Sequence, residues 1–279
     1  MLKRILTIVF LTVCALFGQA ETNIRVATFN VRTPGDRSPN NWRERIPRIR
    51  AIMENYQLDI IGVQELVPIQ KDALLENDSP YDSVGMGREP DKKGEHCCIF
   101  YRKKHFDCLE NGTFWLSETP DVPGSRSWHS ACRRICTWAK LKDKTTGKLF
   151  YHFNTHLDHI SDAARRNGAA LILSRMEAMR DELPCILTGD MNGRPSSAAV
   201  KAILEKMKDA KSLSKTPHEG PEQTFHAYKY TPENSSKPPI DFIFVLGNMQ
   251  VLRHVTISDH NGKEYPSDHF PVMAEIILE

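Results

Sequence analysis

Cys185-Ile186-Leu187-Thr188-Gly189-Asp190-Met191-Asn192 sets an apolar run directly against a polar tip, and its reading decides the fold. A short apolar run bounded by glycine reads as a buried strand. Asp190 and Asn192 then stand at its end, where a core would not tolerate them. The same shape recurs upstream. Residues 24–30 close as Phe29-Asn30, 58–64 run into Val63-Gln64-Glu65, and 150–156 close as Asn154-Thr155-His156. Any one of these is explained as a helix cap following a strand. Four in one chain ask for more, and ligands of α/β sheets gather beyond the strand ends. Four further strands are predicted at 97–101, 137–141, 240–245 and 271–277. Amphipathic helices are predicted at 42–56, 161–180 and 196–208. Ser161-Asp162 is a helix-start signal, and Pro184 follows the end of that helix. No Gly/Ser linker and no repeat interrupts the pattern, so one α/β domain is expected over 21–279.

The first twenty residues stand apart. Lys3 and Arg4 lead an apolar run over 5–17, and Gly18-Gln19-Ala20 offers small residues at cleavage spacing, the pattern of a secretory signal peptide over 1–20. The run is short for a membrane span of about 20 residues. Val13 is too bulky to precede Cys14 at a lipoprotein site. The expectation is a periplasmic or extracellular protein with no membrane span, and a monomer. Without Lys3 and Arg4, the chain balances 35 basic against 35 acidic residues. Proteins that hold long nucleic acids by their phosphates usually carry an excess of Lys and Arg. Charge therefore does not indicate a polynucleotide partner. An exported chain permits disulfides, but Cys98 and Cys185 sit in apolar runs as small hydrophobes. Cys132 and Cys136 lack zinc-site neighbours.

Several pieces fall in a distinctive order: Ala27-Thr28-Phe29-Asn30, Ile61-Gly62-Val63-Gln64-Glu65, Asn154-Thr155-His156, Gly189-Asp190-Met191-Asn192, Ile240-Asp241-Phe242-Ile243 and Ser267-Asp268-His269. That order closely resembles the endonuclease/exonuclease/phosphatase superfamily, from about Ile24 to the C-terminus. Phe114-Trp115-Leu116-Ser117-Glu118-Thr119-Pro120 resembles a bacterial branch of it. The resemblance implies a four-layer α/β sandwich, two mixed β-sheets face to face with helices outside; pattern alone gives only α/β.

Hydrolysis of a phosphate ester needs a cation against developing charge and a base for water. Mg²⁺ takes oxygen ligands and keeps several waters, so one or two carboxylates suffice. Glu65, just past an apolar strand, is the best single candidate. The resemblance implies Mg²⁺, with Mn²⁺ able to substitute, on Glu65 with Asn30 and Asp268 nearby. Asp190 and Asn192, alternate residues of one turn, suit a base for water and a donor to a phosphate oxygen. His269 can bind a phosphoryl oxygen as an imidazolium if a carboxylate raises its pKa. Asp241 is costly in an apolar strand unless paired, which makes it the partner of choice. A second pair, His156 with Glu95, is implied by DNase-type members. Asp158 and His159 continue the His156 motif. Arg134 offers a guanidinium fork to a phosphate, or a surface salt bridge. Trp115 and Trp128 are read as core packing rather than an aromatic wall. The expected enzyme is a Mg²⁺-dependent phosphodiesterase. A nuclease, a phospholipid or sugar-phosphate hydrolase, and an inactive phosphate-binding protein are the alternatives.

Overall fold

The computed structural model describes residues 22–76 and 78–279; the signal sequence expected over 1–20 lies outside them. The chain runs β1 (Thr22–Asn30), α1 (Trp42–Asn55), β2 (Ile60–Leu66), α2 (Pro68–Leu74), β3 (Tyr81–Val84), β4 (His96–Arg102), β5 (Phe106–Trp115) and β6 (Ile135–Asp143). It continues through β7 (Leu149–His156), α3 (Asp162–Met179), β8 (Cys185–Asp190), α4 (Ala198–Leu204), β9 (Lys208–Asp209), α5 (Ala210–Leu213), β10 (Asp241–Leu246), β11 (Met249–Thr256) and β12 (Val272–Leu278).

Two six-stranded mixed sheets result, in the orders β11-β12-β1-β2-β4-β3 and β5-β6-β7-β8-β10-β9. The pairs β1–β2 and β7–β8 are parallel and the others antiparallel. Ile24, Ile60 and Ile99 of the first sheet meet Leu141, Phe150 and Ile243 of the second in one core. Strands covered on both faces need continuous apolar runs, which is why residues 26–31 and 185–191 are buried without alternation. Helices close the outside: Ile46 and Ile49 of α1 pack on Phe29 and Phe100, while Ile172 of α3 and Ile203 of α4 pack on Leu187 and Phe244. The product is the four-layer α/β sandwich.

Between the sheets lies a polar knot. Gln64 donates from Nε2 to Asn154 Oδ1 at 2.7 Å and to Thr28 Oγ1 at 3.0 Å, and Asn154 donates to the Val63 and Cys98 carbonyls. Buried polar groups are tolerated when bonded in this way. Gly62 makes room for the knot: a Cβ there would lie 2.0 Å from Thr188 Oγ1. Gln64 and Asn154 thus join the sheets instead of lining a cavity. The helix expected over 196–208 ends at Leu204. Met207 N turns back to the Ile203 carbonyl, and Lys208 enters β9.

Candidate active site

Strand register assembles the site. In the second sheet His156 pairs with Asp190, and Asp190 with Asp241, so the ends of β7, β8 and β10 place three functional side chains in one row. In the first sheet Asn30 pairs with Gln64, and Glu65 follows at an irregularity of the β2–β4 ladder. Glu65 has φ 57°, and a bulge of this kind re-aims a side chain out of the strand's alternation. The segment before β12 is tied to the same edge, because Ser267 Oγ donates to the Asn30 carbonyl at 2.6 Å. Arg45, fully buried, donates to the carbonyls of Val31, Arg32 and Thr33 and fixes the loop after β1. Beyond the strand ends opens a cavity of ≈ 470 Å³, lined among others by Glu65, His156, Asp190, Asn192, Asp268 and His269. Glu95 and Arg134 line it too; Asn30 and Asp241 lie behind Asp190.

The two histidines are tuned in opposite directions. His269 Nδ1 is 2.9 Å from Asp241 Oδ2, and its Nε2 is 3.8 Å from Asp190 Oδ2. Burial alone would lower its pKa, but the charge and hydrogen bond of Asp241, with Asp190 and Asp268, raise it to about 10. His269 is therefore an imidazolium. His156 is held well below the ordinary range by burial, then by the positive charges of Arg134 and His269. As a neutral ring it accepts from Asn192 Nδ2 at 2.9 Å. Asn192, at φ 44°, also donates its backbone N–H to Asp190 Oδ1. Burial first, and the charge of Asp241 second, push the Asp190 carboxyl up to about 7. That is the range in which a carboxylate serves as a base.

Glu65 and Asp268 form a second acidic pair. Glu65 accepts from Asn30 Nδ2 at 3.1 Å and from Thr33 N at 3.2 Å. Burial pushes the Asp268 carboxyl up, with Glu65 adding to the shift and His269 and Arg32 opposing it. The Arg32 guanidinium stands 3.7 Å from Asp268 and 3.8 Å from Glu65, too far for a hydrogen bond to either. Two carboxylates on one side of the cavity are an oxygen donor set suited to a hard divalent cation. Asp190, Asp241 and His269 also bring one ligand atom each within 4.8 Å of the others. In that group His269 Nδ1 is already committed to Asp241, and Asp190 Oδ2 accepts from Asn30.

Three expectations change. No hydrogen bond joins Glu95 to His156 among the described residues: Glu95 Oε2 accepts from Arg88 Nη1 at 2.7 Å. Asn30 presents its amide nitrogen to both Glu65 and Asp190 while its Oδ1 accepts from Arg32 N, so here it aligns the carboxylates instead of offering an oxygen. Arg134 makes no surface salt bridge. It is 5% exposed, with Nη2 3.1 Å from His159 Nδ1, Nε 3.8 Å from Asp158, and Nε and Nη1 unpartnered. Asp158 organises the neighbouring loop, accepting from Ser130, Ala131, Cys132, Ile160 and Ser161. Trp115 is core, its indole N–H on the Arg88 carbonyl. Arg32, Arg88 and Phe225 also line the cavity, and nothing in their sequence context marks them.

A two-sheet α/β sandwich thus gathers these acids and histidines at one edge. The chain belongs to the endonuclease/exonuclease/phosphatase family, whose model matches residues 27–269. A family member from Bacteroides vulgatus is similar at 39% identity and TM-score 0.87, over 92% of this chain and 100% of that one. A mannosyl-6-phosphatase from Bacteroides thetaiotaomicron VPI-5482 is similar at 35% identity and TM-score 0.84, over 91% of this chain and 100% of that one. No curated protein matches. Among the described residues no helix is long and apolar enough to cross a membrane.

Proposed function

We propose that the protein is a divalent-metal-dependent hydrolase of small phosphate esters, with water as the nucleophile. The observation that carries this is that His156, Asp190 and His269, with Asp241 behind them, share one cavity with Glu65 and Asp268. Glu65 and Asp268 would hold the metal, Mg²⁺ or Mn²⁺, which supplies charge neutralisation at the phosphoryl oxygens. Asp190 takes a proton from water as the water oxygen bonds to phosphorus; the ester P–O bond breaks, and the leaving oxygen departs with its electron pair and is protonated by solvent water. His269 donates a hydrogen bond to a phosphoryl oxygen and keeps its proton through Asp241. Asn192 holds the neutral face of His156 toward the same space. Arg134 adds a buried positive charge to the anion site.

Substrate class follows from two supports. Balanced charge argues against a long polynucleotide, and 35% identity to a mannosyl-6-phosphatase favours a sugar phosphate over the phosphodiester expected from sequence. We also propose export, with a mature chain beginning near Glu21; mass spectrometry of the native protein reads this directly. The function is tested by a panel of phosphate mono- and diesters with and without EDTA. Metal-dependent release of phosphate supports the reading, and full turnover by metal-stripped protein contradicts it.

A further inference from the structure

Phe225 is 43% exposed, yet it lines the polar reaction cavity. A scattered exposed hydrophobic residue needs no explanation, but this one is fixed in place. Phe225 forms an isolated antiparallel bridge with His269, and Phe270 N donates to the Thr224 carbonyl at 2.7 Å. On its other side, His226 N and Ala227 N both donate to the Asp268 carbonyl. His226 turns inward against Phe270, ring centroids 4.1 Å apart, so Phe225 turns outward. Its ring centroid is 4.8 Å from that of His269. An apolar face is thereby held beside the imidazole proposed to touch the phosphoryl group.

We propose that Phe225 is the platform for the leaving group, and that this group is the pyranose ring of a sugar phosphate. The inference rests on the phosphoesterase reading and deepens it. A planar base has two apolar faces and is best served between two walls. A pyranose has one apolar face and a rim of hydroxyls. The cavity suits the pyranose: one apolar aromatic ring, Phe225, shares the lining with the charged side chains of Arg32, Arg88, Glu95 and Arg134. Its ≈ 470 Å³ accommodates one such ligand.

The test compares a hexopyranose 6-phosphate, such as mannose 6-phosphate, with ringless glycerol 3-phosphate and a nucleoside 5′-monophosphate on metal-loaded protein. Wild type should prefer the hexose phosphate. Phe225→Ala should lower kcat/KM on it by about tenfold or more, mainly through KM, a loss of the size expected for a lost apolar contact. Turnover of glycerol 3-phosphate should change less than about threefold on the same scale. The alkaline limb of the pH profile should stay in place, and Phe225→Tyr should restore the preference. Equal losses on hexose and glycerol phosphates, or a shifted alkaline limb, would mean that the ring acts through His269 and would overturn the proposal. So would an unaffected variant, or preference for the nucleotide. Wild type inactive on every ester would overturn the phosphoesterase reading as well.

Discussion

His269 Nδ1 stands 2.9 Å from Asp241 Oδ2, with both side chains buried at the end of the second sheet. A buried carboxylate in an apolar strand is tolerated because it meets a charge. Removing either partner should lower kcat by a factor on the order of 10²–10⁴. The double variant should be little worse than the worse single one, since residues acting as a unit are not additive. A kinetic double-mutant cycle checks this; losses that multiply would separate the two.

The pH profile of kcat should have two limbs of defined sign. In the proposed mechanism Asp190 acts ionised, and its carboxyl is raised to about 7, so activity should rise as pH increases through that region. There His269 acts protonated, and its pKa is raised to about 10, so activity should fall as pH increases through that value. Asp241→Asn removes the charge that keeps this proton, so its alkaline limb should move to lower pH. An alkaline limb unmoved in that variant would assign it to another group.

Glu95 is bound to Arg88 and not to His156. Glu95→Gln should therefore leave kcat within about threefold of wild type, well short of the loss expected for a catalytic acid or base. Steady-state kinetics decides it; a hundredfold loss would reinstate the Glu95–His156 pair.

Arg134 is buried beside His156, and its charge helps keep that ring neutral. Replacing it with glutamine should let His156 titrate at higher pH, which NMR of the imidazole protons would report. The same variant should raise KM for phosphate esters, because a guanidinium contact to an anion is lost. An unchanged titration would confine Arg134 to packing.

Legibility in the sequence followed burial. The strands read from sequence are β1, β2, β4, β6, β7, β8, β10 and β12, the inner strands of both sheets. The four missed, β3, β5, β9 and β11, are their edges. Inner strands carry the longer buried runs, as over 26–31 and 185–191. β5 pairs on one side only, and its Glu110-Asn111-Gly112 carries no apolar run. At the site, acids and histidines at strand ends were legible because a core has no use for them. Arg32, Arg88 and Phe225 were not, since they arrive from loops through packing alone. The Glu95–Arg88 contact is not legible either, since two residues seven apart in a loop meet only in three dimensions.

In the proposed mechanism Asp190 activates water beside a metal that Glu65 and Asp268 would hold. The most direct measurement determines kcat and Mn²⁺ affinity together for wild type, Asp190→Asn and Glu65→Gln on one phosphate ester. Asp190→Asn should lose on the order of 10²–10⁴ in kcat while binding Mn²⁺ within a few-fold of wild type. Glu65→Gln should lose both. An Asp190→Asn enzyme that keeps wild-type kcat, or a Glu65→Gln enzyme that binds Mn²⁺ as wild type does, would contradict it.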